Sequence, residues 1–273
     1  MRKVFTAFNL LILLLLSQLS ISQNFPGKDT SESNIDVKIF RSINNNRGGF
    51  FNTVIPITDK SVLPVSVALP LGLMGISRIK ENYYDENSGV LLLLSEITSA
   101  GVTFGLKQIF KRERPFVMLK DVHFNEYNSP TDRYSFPSGH TATAFSMATS
   151  LTLRYPDKPA IIAISYLYAA VVGYGRMYLG VHYPSDVLGG MMIGSGTAAL
   201  VYSLRKEIID FKNNVFNEKY RSDSNNAKEL SAPVILGLTI GADLLNNLIQ
   251  TTFPKENIRI ISSESKLTAI LNF

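Results

Sequence analysis

The sequence predicts an all-α helical bundle embedded in a membrane, with a short β-prone tail at its C-terminal end. Three observations carry this expectation. Five apolar stretches, 62–77, 89–106, 139–153, 159–177 and 184–204, run 15 to 21 residues and are rich in Leu, Ala and Met, which is longer than strands run. The connectors between them carry most of the charge. If every stretch spans, Arg78, Lys80, Arg154, Lys158, Arg205 and Lys206 fall together on one side, the pattern of a cytoplasmic face, and the connectors 107–138 and 178–183 fall on the other. The stretches sit at the short edge for crossing a bilayer and Glu96 interrupts one of them, so a soluble bundle with charged loops is the rival reading.

Residues 1–22 read as an export signal: Met1-Arg2-Lys3 is basic, Val4 to Leu19 is apolar, and Ser20 and Ser22 offer a cut after residue 22. An uncleaved signal anchor is the alternative. Either sends the chain beyond residue 22 out of the cytoplasm. Residues 23–34 are polar, a flexible lead. Residues 35–58 are amphipathic, with Ile35, Ile39, Phe40 and Ile43 at helical spacing before a break at Gly48-Gly49. The helical domain is expected over 35–205. Residues 206–273 form a charged linker and tail, in which 234–240 and 258–261 are β-prone and a hairpin or a loose appendage would fit.

Composition excludes several classes. Hydrophobic residues make up 45% and charged residues 18%, so the chain can bury a core and is no disordered tail. The absence of cysteine removes a disulfide scaffold, a thiolate metal site and a Cys nucleophile. A net charge of +5, two of it from Arg2 and Lys3, is no nucleic-acid footprint.

The residues able to do chemistry cluster in three blocks, all on the non-cytoplasmic side. In the first, Lys107, Lys111, Arg112 and Arg114 precede Pro115. Cations at a helix end are ordinarily solvated or snorkelling, yet Lys as a point charge and Arg as a planar fork also suit phosphate oxygens. In the second, Pro137-Ser138-Gly139-His140 opens a helix. Ser138 fits the N-cap, Gly139 lets backbone approach a ligand, and a helix start favours anions. His140 in that first turn can protonate a leaving oxygen; an ordinary helix start with an exposed His is the bland alternative. In the third, Arg176 ends one apolar helix and Pro184 starts the next. Asp186 then lies in a first turn, where it can complement the helix dipole or reach back to His182 and fix its tautomer. His123, between blocks one and two, reads as surface or substrate rim.

Taken together, Lys107, Arg114 and Pro115, then Pro137 to His140, then Arg176, His182 and Asp186, resemble the type 2 phosphatidic acid phosphatase (PAP2) superfamily, which includes class A acid phosphatases and vanadium haloperoxidases. The resemblance implies a haloperoxidase-like helical bundle and a two-step phosphoryl transfer with no cofactor and no metal. In it His182 is the nucleophile, Asp186 orients it, and His140 is the general acid and base. Lys107, Arg114 and Arg176, with Ser138 and Gly139, bind the phosphate. Gly175 departs from the family, which usually has Ser before the third-block Arg, and removes a hydroxyl but no catalytic charge. The expected partner is a phosphorylated lipid or a small phosphate ester at a membrane of the cell envelope, with the site on the periplasmic or outer side. No nucleic acid and no protein partner are expected. A soluble periplasmic acid phosphatase, a vanadium haloperoxidase and a non-enzymatic scaffold are the alternatives. The three blocks leave the leaving group unread.

Overall fold

The computed structural model describes residues 34–124, 132–218 and 223, together with the backbone of 257–263 and 266–272. The expected signal at 1–22, all of the lead at 23–34 but its last residue, and the β-prone run at 234–240 lie outside the described residues.

Helix α1 (Ile35–Asn44) starts where Asn34 accepts a hydrogen bond from the Asp36 N–H at 2.9 Å. Its apolar stripe does as the periodicity predicts: Val37 and Phe40 are buried against Leu119 and Tyr183. The segment 35–58 divides where the glycines predict: the chain breaks at 45–48 and α2 (Gly49–Ile79) begins at once, though well before the apolar stretch from 62. Asn52, Asp59 and Lys60 hide this first part from hydropathy, and Pro56, Pro64 and Pro70 sit inside a helix that continues through them.

The remaining expected stretches are all helical: α3 (Tyr83–Phe110), α5 (Gly139–Arg154), α6 (Pro159–Tyr178) and α7 (Pro184–Ser203). Two further helices lie where only connector is expected: the short α4 (Pro115–Met118) and α8 (Arg205–Val215), which bends away from α7 by 61°. Pro stands at the start of α4, α6 and α7, where its missing N–H is harmless.

Helix α5 occupies the middle, packed on α7, α6 and α3. Its contact with α7 is backbone to backbone. A Cβ on Gly194 would stand 2.1 Å from the Ala142 carbonyl oxygen, and one on Gly190 2.6 Å from that of Ser138. Leu73, Leu92, Met147 and Leu151 form the core on the other side of α5. Glu96, which interrupts an apolar stretch, is turned into the bundle and buried.

By length and composition, α2, the stretch from α3 through α4, and α6 can cross a bilayer, and α7 with α8 adds a fourth if the bent pair counts as one span. The chain is a membrane protein of the all-α class. Its tail forms an antiparallel hairpin, β1 (Asn257–Ser263) with β2 (Lys266–Asn272), as the β-prone residues at 258–261 suggest. At the end remote from the three blocks, Arg154 donates to Ser88 Oγ at 2.8 Å and to Asp223, while Lys212 of α8 donates to Asn87 Oδ1 at 2.6 Å.

Candidate active site

The three blocks converge at one end of the bundle. Lys111 adopts a left-handed conformation that stops α3, and the chain then runs extended to Pro115. Lys107 is therefore left on the last inward turn of α3, buried, with its Nζ donating to the Tyr134 carbonyl at 2.5 Å and to Asp132 Oδ1 at 3.2 Å. Arg114 is 2% exposed. Its Nη2 donates to Asp132 Oδ1 at 2.6 Å and its Nη1 to the Val181 carbonyl at 2.9 Å. The same Nη1 lies 3.1 Å from His182 Nε2.

That contact fixes the tautomer. A guanidinium can only donate, so Nε2 presents its lone pair and the ring proton sits on Nδ1. Nδ1 lies 3.4 Å from Asp186 Oδ2, which also accepts the Tyr183 N–H at 2.8 Å. Burial above all, then the charges of Arg114, Arg176 and Lys107, hold the His182 imidazole well below its ordinary value. At neutral pH it is a neutral base set among Arg114, Arg176 and Lys107.

The second block is held to the third by the Ser138 N–H, which donates to the Asp186 backbone carbonyl at 3.0 Å. Ser138 stands at the N-cap of α5 as expected, but its side chain does not cap. Its hydroxyl instead accepts from Thr141 Oγ1 at 2.9 Å, so no cap side chain competes with a ligand for the first N–H groups. Gly139 follows, where a Cβ would make one ordinary contact, with Thr103 Cγ2 at 3.8 Å. His140 lies within electrostatic reach of Arg176, Arg114 and His182. Arg176 closes the site from α6, buried and ion-paired with Asp59 of α2. His123 is exposed, its backbone held by Asn44, in keeping with a surface position.

All eight expected residues thus come to one end of the bundle, and four others come with them: Asp36, Asp59, Arg112 and Asp132. Asp59 has a signal in the sequence, a lone carboxylate in an otherwise apolar helix. Arg112 is one of the four clustered cations, but nothing in the sequence gives it a partner. Its Nη1 donates to Asp186 Oδ1 at 2.7 Å and its Nη2 to Asp36 Oδ2 at 2.6 Å. Asp132 carries no pattern that marks it. The departure at Gly175 also has a structural reason, since a Cβ there would meet Ile55 Cγ2 of α2 at 3.0 Å.

A buried His–carboxylate pair facing three cations and a helix start is the site of an enzyme that works on a phosphate group. Comparison with known proteins places the chain further. The family model of the PAP2 superfamily matches residues 88–210. The chain is 30% identical over 192 residues to the undecaprenyl-diphosphatase of Sulfolobus acidocaldarius, covering 68% of this chain and 85% of that protein. Among solved structures it is similar to LpxE of Aquifex aeolicus, with a TM-score of 0.52, 30% identity, and 62% of this chain and 96% of that one covered. It is also similar to the transmembrane PAP2-type phosphatidylglycerolphosphate phosphatase of Bacillus subtilis, with a TM-score of 0.54, 25% identity, and 76% and 98% covered. The chain belongs to the PAP2 superfamily and is a phosphoric ester hydrolase of that type.

Proposed function

We propose that this protein removes phosphate from a phosphorylated membrane lipid, without a metal ion, through a phosphohistidine at His182, at a site on the outer side of the membrane, and that residues 35–205 are its catalytic domain. The observation that carries this reading is the placement of His182 Nε2, its lone pair turned to Arg114 Nη1 at 3.1 Å, with Asp186 Oδ2 3.4 Å from Nδ1. The lipid substrate is supported by apolar helices on which the site sits and by relatives named for an undecaprenyl diphosphate and a phosphatidylglycerolphosphate.

In the first step Nε2 attacks phosphorus. The bond to the leaving oxygen breaks with its electron pair, and His140 gives that oxygen a proton. Negative charge arriving beside Arg114 and Arg176 favours the proton on His140 that this step needs. Lys107, Arg114 and Arg176, with the Ser138 hydroxyl and the Gly139 N–H, stabilise the equatorial oxygens as charge develops. In the second step His140 takes a proton from water, the water oxygen bonds to phosphorus, and the P–N bond breaks to free phosphate and Nε2. Asp186 stabilises the charged ring between the two steps.

The test is phosphate release by wild type and His182→Ala in EDTA, with phosphatidic acid and undecaprenyl pyrophosphate set against p-nitrophenyl phosphate. Turnover of the lipids without metal, abolished in the variant, is the expected result. Turnover of the soluble ester alone would point to an acid phosphatase, and a variant equal to wild type would remove the nucleophile. Because burial and the neighbouring cations lower His182, it stays a neutral base below about pH 6.5, the ordinary His range, while burial and then Arg176 lower His140 to about 4; kcat/KM should therefore rise as pH falls from 7 toward 5 and His140 gains its proton, and a flat profile would count against His140 as the donor.

A further inference from the structure

Behind Asp186 runs a second layer of buried charge that the chemistry above leaves without a task. Arg112 is 5% exposed, Asp36 5% and Asp186 fully buried. Asp36, on the first turn of α1, accepts the Ser185 N–H on Oδ1 at 2.8 Å and the Ser185 hydroxyl on Oδ2 at 2.6 Å. The same Oδ2 takes Arg112 Nη2 at 2.6 Å, while Arg112 Nη1 reaches Asp186 Oδ1 at 2.7 Å. The guanidinium lies over the Tyr183 ring at 4.1 Å from its centroid, which fixes its plane. One planar fork therefore holds a carboxylate of α1 and a carboxylate of α7 in set directions, a task for which Lys has no equivalent. With Oδ1 taken by Arg112, the other oxygen of Asp186 is the one turned to His182 Nδ1. Helix α1 itself lies outside residues 88–210, the part matched by the family model.

We infer that Arg112, anchored by Asp36, is a positioning residue that sets the orientation of Asp186 and shares its charge, and so sets both the aim and the proton affinity of His182. Helix α1 is then a working part of the site rather than a cover. This deepens the proposed function, since it gives the nucleophile its support. The contrary view is that Arg112 and Asp36 only fasten α1 to the bundle, which predicts lost stability and an unaltered His182.

The chain has three histidines, so a titration of the ¹⁵N-histidine-labelled full-length protein in detergent micelles reads His182 with little overlap. Removing the Arg112 cation leaves the whole Asp186 charge to the imidazolium. In Arg112→Met the His182 titration should move to higher pH, by about tenfold or more in proton affinity, with a smaller move to lower pH in Asp36→Asn, where Arg112 keeps Asp186 as its one carboxylate. On a phosphate ester, kcat should fall by about 10-fold in Asp36→Asn and about 100-fold in Arg112→Met, with KM changed far less and part of the rate restored in Arg112→Lys. A His182 titration identical to wild type in folded Asp36→Asn and Arg112→Met overturns the inference. If Arg112→Met does not fold, Asp36→Asn, isosteric and with Arg112 still in place, decides it by the same titration. Should wild type release no phosphate from any ester or lipid, the functional reading fails, and the His182 titration still decides the role of Arg112.

Discussion

Asp132 sits against the two cations that a phosphate would use. Its carboxylate binds both Arg114 and Lys107 while remaining half-exposed. Burial pushes it up, but Lys107 and Arg114 outweigh that and hold it below the usual carboxylate range, so it is ionised whenever substrate arrives. An incoming phosphate must share these cations with it. Asp132→Asn should therefore tighten inhibition by inorganic phosphate several-fold, as read from the inhibition constant, because the competing negative charge is gone; unchanged inhibition would show that Asp132 moves aside without consequence. At this scale the residues with chemistry are legible in the sequence and their supports are not. Residues such as His182 and Arg176 stand out because their types at those spacings have few other uses. Asp36 and Asp132 do not, because a single carboxylate gains meaning only from what folding brings beside it. Ser138 reads rightly as a helix start and wrongly as a capping side chain, since Thr141, three residues on, takes its hydroxyl.

The elements that carry these residues are held in register by the close contact of α5 with α7. Adding one methyl at Gly194 pushes against the Ala142 carbonyl, and no side chain there can rotate away. Gly194→Ala should destabilise the protein by about 3 kcal/mol or more, measured as thermal unfolding in detergent, and should lower activity by separating His140 from His182. Gly101→Ala, where nothing lies within 4 Å of the added atom, is the control and should be close to neutral. The helices are legible wherever the apolar run is unbroken, because length alone separates a helix from a strand there. The first part of α2 and all of α8 escape the sequence for one reason: both carry charge that the fold pairs or exposes, such as Asp59 with Arg176 and Lys212 with Asn87. Hydropathy counts such residues as connector.

For the whole molecule, the proposed orientation puts His123 outside and Glu81, in the turn between α2 and α3, inside. The chain has no cysteine of its own, so His123→Cys and Glu81→Cys are clean reporters. In intact spheroplasts a membrane-impermeant maleimide should label the first and spare the second; the reverse pattern would place the site in the cytoplasm. Both ends of the bundle are closed by buried charge, the phosphate site at one and the ties of Arg154 and Lys212 at the other. Between them α6 and α7 are 20 residues each, about 30 Å of helix, the thickness of a bilayer's hydrocarbon. Neither charged end can sink into hydrocarbon to accommodate a mismatch. A bilayer of shorter or longer acyl chains must therefore stretch or thin around the protein, and the reacting centre keeps a fixed height above the midplane, the one depth at which the proposed lipid substrate would have to present its headgroup.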